Sequence, residues 1–208
     1  MAGAPGSLAI RRNWDTLWPM GNALRNDNYI APAEYLTGEE IGSARHEYLD
    51  GVVYMMAGGS AAHNRIATNI VGELRAFLRG KTCEAFGSDT RVRVRAEKGE
   101  FYYYPDVTVD CSGRSNDSQY AETPSVIFEV LSPATERVDR VEKLHNYQQI
   151  PSLQAYVLVD QLRVAVTVYR RVSGEWESEV LVEKDDVLSL PAIECALPLS
   201  AIYERTGL

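Results

Sequence analysis

The clearest periodic stretch in the chain runs from His63 to Arg79. Ile66, Ala67, Ile70, Val71, Leu74, Phe77 and Leu78 recur at steps of three and four. That spacing lines one face of an amphipathic helix, and Gly80 stands where the helix can end. Residues 91–95, Arg91-Val92-Arg93-Val94-Arg95, alternate strictly between charged and apolar, the period of a half-exposed strand. Val126 to Leu131 is a continuous apolar run broken only by Glu129, which predicts a buried strand. Ser132-Pro133 stops it. The spacing from Thr135 or Glu136 to Gln149 predicts a helix that Pro151 ends. Ala155 to Asp160 predicts a second buried strand. A helix between two buried strands implies a crossover and a mixed sheet covered by helices, an α/β fold.

Shorter signals fill in the ends. Pro32 within 31–36 predicts a short helix beginning there. Asp50-Gly51 between apolar flanks predicts an N-terminal β-hairpin. Phe101 to Cys111 reads as one strand with a bulge or an edge at Pro105. Residues 164–169 and 178–181 predict a C-terminal hairpin about Ser173-Gly174, and the apolar tail 188–203 is expected to wrap the sheet. Residues 1–30 carry scattered Gly, Pro and Asn that interrupt any period. They read as an irregular arm before a single domain spanning 31–208.

Composition narrows the class. With 208 residues, 45% of them hydrophobic, the chain has material for one ordinary core. Neither the interior nor residues 1–17 hold an apolar run approaching the roughly 20 residues of a membrane span. No secretory signal and no membrane partner are expected. Cys83, Cys111 and Cys195 are widely separated and form no C-x-x-C pair. The expectation is therefore neither a zinc site nor a disulfide framework, with a cytoplasmic location as the default. A net charge of −8 counts against nonspecific nucleic-acid binding, but it leaves room for a local basic groove.

Glu129 carries the first chemical signal. A carboxylate inside a buried strand must be protonated, paired or bound to a metal. The period of two puts Ile127, Glu129 and Leu131 on one face. The competing reading is an edge strand with Glu129 in water. Asp106 follows Pro105, and a proline that breaks a ladder often re-aims a side chain near a site. Neighbouring strands could present both carboxylates to one point, a donor set that suits Mg²⁺ or Mn²⁺. The competing reading is a solvent-facing turn Asp. Lys143 lies on the following helix, between Asp139 at i−4 and Tyr147 at i+4. It reads either as a cation for developing phosphate charge or as half of a surface pair with Asp139.

These residues resemble a known family in their order along the chain. Tyr48-Leu49-Asp50-Gly51, His63 at a helix start, Gly87-Ser88-Asp89, Pro105-Asp106-Val107, Glu129-Val130-Leu131-Ser132-Pro133, Asp139-Arg140 with Lys143 and Tyr147, and residues 156–160 occur in sequence. The set resembles the Uma family of restriction-endonuclease-like proteins within the PD-(D/E)XK nuclease superfamily, from about residue 30 to the C-terminus. The resemblance implies a restriction-endonuclease-like core, DNA phosphodiester hydrolysis with Mg²⁺ or Mn²⁺, DNA as substrate, and a homodimer. Asp106 matches the family's Asp, and Glu129 the acidic residue of (D/E)-x-K. The lysine position is occupied by Leu131, and Lys143 resembles its migrated replacement.

Glu47 and His63 are accessory candidates, with an exposed Glu and a capping or packing His as the bland readings. Asp89 reads as a residue near the metal or as a turn residue before a strand. Arg91, Arg93 and Arg95 on one strand face, with Arg137 and Arg140, are candidate phosphate contacts. A different class of function stays open: a catalytically degenerate nuclease fold that binds nucleic acid or protein, suggested by Leu131 and the acidic charge.

Overall fold

The computed structural model describes residues 29–97 and 99–208. The arm expected at residues 1–30 lies almost wholly outside the described residues. The chain divides into two compact units, residues 1–56 and 57–208.

In the first unit, α1 (Pro32–Ile41) starts with its proline in the first turn, where no backbone donor is needed. It runs past the six residues expected, to a cap at Gly42. β1 (His46–Leu49) and β2 (Val52–Met55) form the predicted hairpin, with Leu49 opposite Val52. Asp50 and Gly51 have φ of +43° and +98°, the paired positive angles of a two-residue type I′ turn. A Cβ at Gly51 would also collide with the Tyr29 ring. The Tyr35 ring stacks on Tyr48 with centroids 5.1 Å apart. Its hydroxyl donates to the His46 carbonyl at 2.6 Å.

The second unit opens with α2 (Ala61–Phe77). Ser60 caps it, accepting from the His63 backbone N–H, so the helix begins two residues before the His63 start expected from the sequence. Next come β3 (Glu84–Gly87), β4 (Arg91–Ala96), β5 (Gly99–Tyr103), β6 (Val107–Asp110), β7 (Tyr120–Ala121) and β8 (Pro124–Leu131). The helix α3 follows, made of a π-helical stretch Val138–Lys143 and an α-helical turn Leu144–Tyr147. Then β9 (Ala155–Asp160), β10 (Val166–Val172), β11 (Glu175–Leu181), β12 (Val187–Leu190), β13 (Cys195–Pro198) and α4 (Leu199–Ile202) complete the unit.

Six of these strands form one sheet in the order β11-β10-β9-β8-β6-β3. All neighbours are antiparallel except β8 and β9, which are parallel and joined through α3, the crossover expected from the two buried runs. β4 pairs antiparallel with β5 and parallel with β7, away from that sheet. This corrects the reading of 101–111 as one strand. Residues 104–106 carry the chain out of β5 and into β6, in a different sheet. Pro105 offers no N–H to either ladder, so the switch occurs there.

The pleat sorts the six-stranded sheet into two chemically different faces. Val107, Val109, Val126, Phe128, Val130 and Val157 join Ile66, Ile70 and Leu74 of α2 and the apolar residues of the C-terminal tail in one aliphatic core. Each such side chain contributes roughly 1.5–3 kcal/mol by its burial. The opposite face holds the tyrosines. Tyr103 meets Tyr147 edge-on at 5.3 Å, and Tyr147 lies 5.2 Å from Tyr156.

Two further expectations are corrected. Cys83 and Cys111 form a disulfide. The β3–β6 register pairs Glu84 with Asp110, which sets the two cysteines opposite each other across the ladder. Their separation of 28 residues in sequence concealed that adjacency. Cys195 is a buried free thiol in the aliphatic core, and that burial pushes its pKa up. Nor is β4 evenly half-exposed: Arg91 is buried, Arg93 half-buried, and only Arg95 exposed. No helix among the described residues is long and apolar enough to cross a membrane.

Candidate active site

Asp106 sits at the bend between Pro105 and β6, where the sheet switch leaves its backbone outside both ladders. Its Oδ2 accepts the backbone N–H of Val130 at 2.7 Å. That bond fastens the carboxylate to the residue next to Glu129 on the neighbouring strand. The His63 Nε2 stands 3.2 Å from the same oxygen. Both contacts fall on Oδ2, and Oδ1 makes no hydrogen bond among the described residues. The contact with Asp106 raises the His63 pKa above its ordinary 6.5, outweighing burial, which pushes the other way. A raised folded-state pKa gives stability that is fully present below pH about 6.5 and lost as pH rises through the folded value. Asp106→Asn is therefore expected to lower the His63 pKa in metal-free protein. An NMR titration of the imidazole checks this, and an unmoved midpoint refutes it.

Glu129 lies in the middle of β8 and is 4% exposed. It occupies the tyrosine face, as the period of two required. Its Oε1 accepts from Lys143 Nζ at 3.1 Å and from the Tyr147 hydroxyl at 3.2 Å. Lys143 also stands 3.3 Å from Asp139 Oδ1. Asp139 and Lys143 are 2% and 6% exposed. The surface pair considered for these two residues is thus a buried carboxylate–ammonium–carboxylate set. The π-helical stretch carries both of them, and such stretches recur at functional sites. Tyrosines close around it. The Tyr156 hydroxyl donates to the Asp139 carbonyl at 3.0 Å. The Lys143 ammonium stands 5.5 Å from the Tyr103 ring centre, and Asn146 donates to the Tyr103 hydroxyl at 2.6 Å.

The other sequence candidates are placed differently. Glu47 lies on β1 opposite Tyr54, within the first unit. Asp89 is exposed in the turn between β3 and β4. Arg93 pairs with Glu100 at 2.7 Å and Glu122 at 2.9 Å, and Arg95 with Glu122 at 3.1 Å. Arg91 stands 5.9 Å from the Tyr104 ring centre. Arg140 pairs with Glu136 at 2.8 Å, and Arg137 is exposed at the start of α3. The three β4 arginines are therefore engaged with protein groups rather than forming a bare cationic stripe. Sequence reasoning missed Gln161 and Ser60. Ser60 had a readable signal as a capping serine before an apolar run. Gln161 had none beyond being polar at the end of a buried strand.

Among the described residues, no three His, Cys, Asp or Glu side chains stand together as a metal cage. Asp106, at the bend entering β6, and Glu129, on the neighbouring β8, instead offer two carboxylates. That donor set fits Mg²⁺, which takes one or two carboxylates and keeps waters or phosphate oxygens for the rest.

Comparison with known proteins supplies the lineage. A family model described as "Uma2: Putative restriction endonuclease" matches residues 32–201. The uncharacterized protein slr1290 of Synechocystis sp. is 35% identical over 176 residues, covering 84% of this chain and 91% of that protein. A second Synechocystis protein, sll1609, is 37% identical over 151 residues, covering 71% and 84%. The crystal structure of a putative nuclease belonging to DUF820 from Anabaena variabilis superposes with a TM-score of 0.63. It is 20% identical and covers 77% of this chain and 90% of that one. At that identity the match speaks to the fold, which is that of the nuclease. The chain belongs to the Uma2 family, whose description is "Putative restriction endonuclease", and the match embraces Asp106, Glu129 and Lys143.

Proposed function

We propose that this protein is a metal-dependent endonuclease that hydrolyses DNA phosphodiester bonds, with Asp106 and Glu129 as the ligands of a Mg²⁺ or Mn²⁺ ion. The observation that carries the reading is the hydrogen bond from Val130 N–H to Asp106 Oδ2. It holds one carboxylate beside the strand position that bears the other. A divalent cation there would lower the pKa of water and offset charge on the phosphate.

The chain's own groups have separable roles. Val130 N–H and His63 occupy Oδ2 of Asp106, so Oδ1 would be the oxygen available to a cation. Glu129 supplies the second oxygen donor from a strand packed on both faces, so it moves little. Lys143 places a positive charge beside Glu129, where it can steady the attacking water or the negative charge growing on the phosphate. Asp139 holds Lys143 from the other side.

The test is incubation with supercoiled, linear and single-stranded DNA in Mg²⁺ or Mn²⁺, with chelator controls and Asp106→Ala alongside. Cleavage that needs metal and disappears in the variant is the expected result. Cleavage that survives in Asp106→Ala sinks the proposal. A second reading has its own observation. Leu131 replaces the motif lysine, and Lys143 is held between two carboxylates. A degenerate site that only binds nucleic acid or protein would have this look. DNA affinity unchanged by chelation, with no cutting, would favour it.

A further inference from the structure

Gln161 follows the last residue of β9, and its side chain is buried. Its Nε2 donates to the Leu131 carbonyl at 2.9 Å, at the end of β8. Its Oε1 accepts from the Ser60 hydroxyl at 2.6 Å, at the start of α2. The amide orientation follows from chemistry: a backbone carbonyl only accepts, so the NH₂ must face Leu131. Ser60 has one hydroxyl proton, given to Gln161, and a lone pair that accepts the His63 backbone N–H at 3.1 Å, which fixes the turn of α2 that carries the imidazole. His63 then reaches Asp106 Oδ2, and Asp106 returns to β8 through Val130 N–H.

The contacts close into a ring: Leu131, Gln161, Ser60, His63, Asp106, Val130. It ties α2, the start of β6, and the ends of β8 and β9 around one carboxylate. Gly59 completes the clamp. A Cβ there would lie 2.7 Å from His63 Nδ1, so only glycine lets the chain pass this close to the imidazole. A site group must be held within about 0.5 Å of its productive geometry, and supporting contacts of this kind set that geometry.

We infer that Gln161 is a positioning residue for the nuclease site, fixing His63 against Asp106 through the Ser60 hydroxyl. The inference rests on the proposed nuclease function for its kinetic consequence, but not for its structural one. Gln161→Leu keeps the side-chain volume and removes both hydrogen bonds. Ser60→Ala breaks the same ring at an exposed residue, at the cost of the α2 cap, and Ser60→Thr restores the hydroxyl.

The experiment has two readouts on the full chain. First, the His63 ring ¹H–¹⁵N signals are recorded in metal-free protein. They are expected to shift in Gln161→Leu and Ser60→Ala and to return in Ser60→Thr. Signals unmoved in both variants overturn the inference. Second, cleavage kinetics are measured in Mg²⁺. The expected result is a kcat about 10- to 100-fold lower with KM for DNA unchanged. In a His63→Ala background, Gln161→Leu should cost nothing more. Independent, additive losses overturn the inference, because they would mean that Gln161 acts elsewhere. Wild-type protein that cuts no DNA counts against the nuclease reading alone; the ring signals then decide the positioning role by themselves.

Discussion

Replacing Lys143 by methionine is expected to destabilise the metal-free protein by about 3–5 kcal/mol at neutral pH. Lys143, Glu129 and Asp139 are all nearly without solvent contact. The ammonium lies 3.1 Å from one carboxylate and 3.3 Å from the other. Methionine keeps the volume and the apolar stem, so packing is largely conserved. What is lost is the ammonium that stands between two acids in a low-dielectric site. Removing one partner of a buried pair costs far more than the pair contributes, because the remaining charge cannot recover its hydration. Urea unfolding measures the loss. The second arm is the double variant Glu129→Gln with Lys143→Met, which removes one of the stranded charges and should recover part of the stability. A loss below about 1 kcal/mol, the scale of an exposed pair, would mean that water reaches the set and that its burial is illusory.

A large effect on activity is expected from the same lysine. If Lys143 does the work of the motif lysine, Lys143→Met lowers kcat by about 10²- to 10³-fold, the usual scale for removing one stabilising donor. Adding Leu131→Lys to that variant is then expected to restore at least about tenfold of the loss. The geometry supplies the reason. Residue 131 is two positions beyond Glu129 on β8, hence on the same face of the sheet. A lysine there would find the Glu129 carboxylate as its partner, which offsets the burial of its charge. The measurement is single-turnover cleavage of the substrate found in the DNA panel. A double variant no faster than Lys143→Met would show that the position of the cation on α3, and not merely its presence near Glu129, matters to the step.

Much of the polypeptide's architecture was legible because local chemistry determines it. Asp50-Gly51 can adopt the two positive φ angles of a tight hairpin, and the chain turns there. The three- and four-residue spacing from Ile66 to Leu74 buries one face of α2. The apolar runs around Phe128 and Val157 become parallel strands because a helix between them must bring the chain back in the same direction. Glu129 stood out for an equally local reason: a carboxylate in a doubly buried strand needs a partner. Those features depend on neighbours within a few residues, and a sequence records such neighbours directly.

Other features depend on neighbours that sequence distance conceals. The disulfide joins residues 28 apart because the β3–β6 register faces them. Pro105 reads from the sequence as a bulge or an edge within one strand; the choice between these and a change of sheet depends on which partners lie on either side. The alternation of arginines on β4 said nothing of Glu100 and Glu122, which engage Arg93. Gln161 looked like the polar end of a strand until Leu131 and Ser60 were placed on either side of its amide. The sequence by itself determined most of the elements and singled out Glu129 as a carboxylate that needs a partner, because helix and strand periods and the cost of burying charge act locally. Only the tertiary structure decided which groups meet. Asp106 on Val130, Lys143 between Glu129 and Asp139, and the ring through Gln161 are cross-strand and strand-to-helix contacts, set by sheet register and by the packing of α2 and α3 on opposite faces.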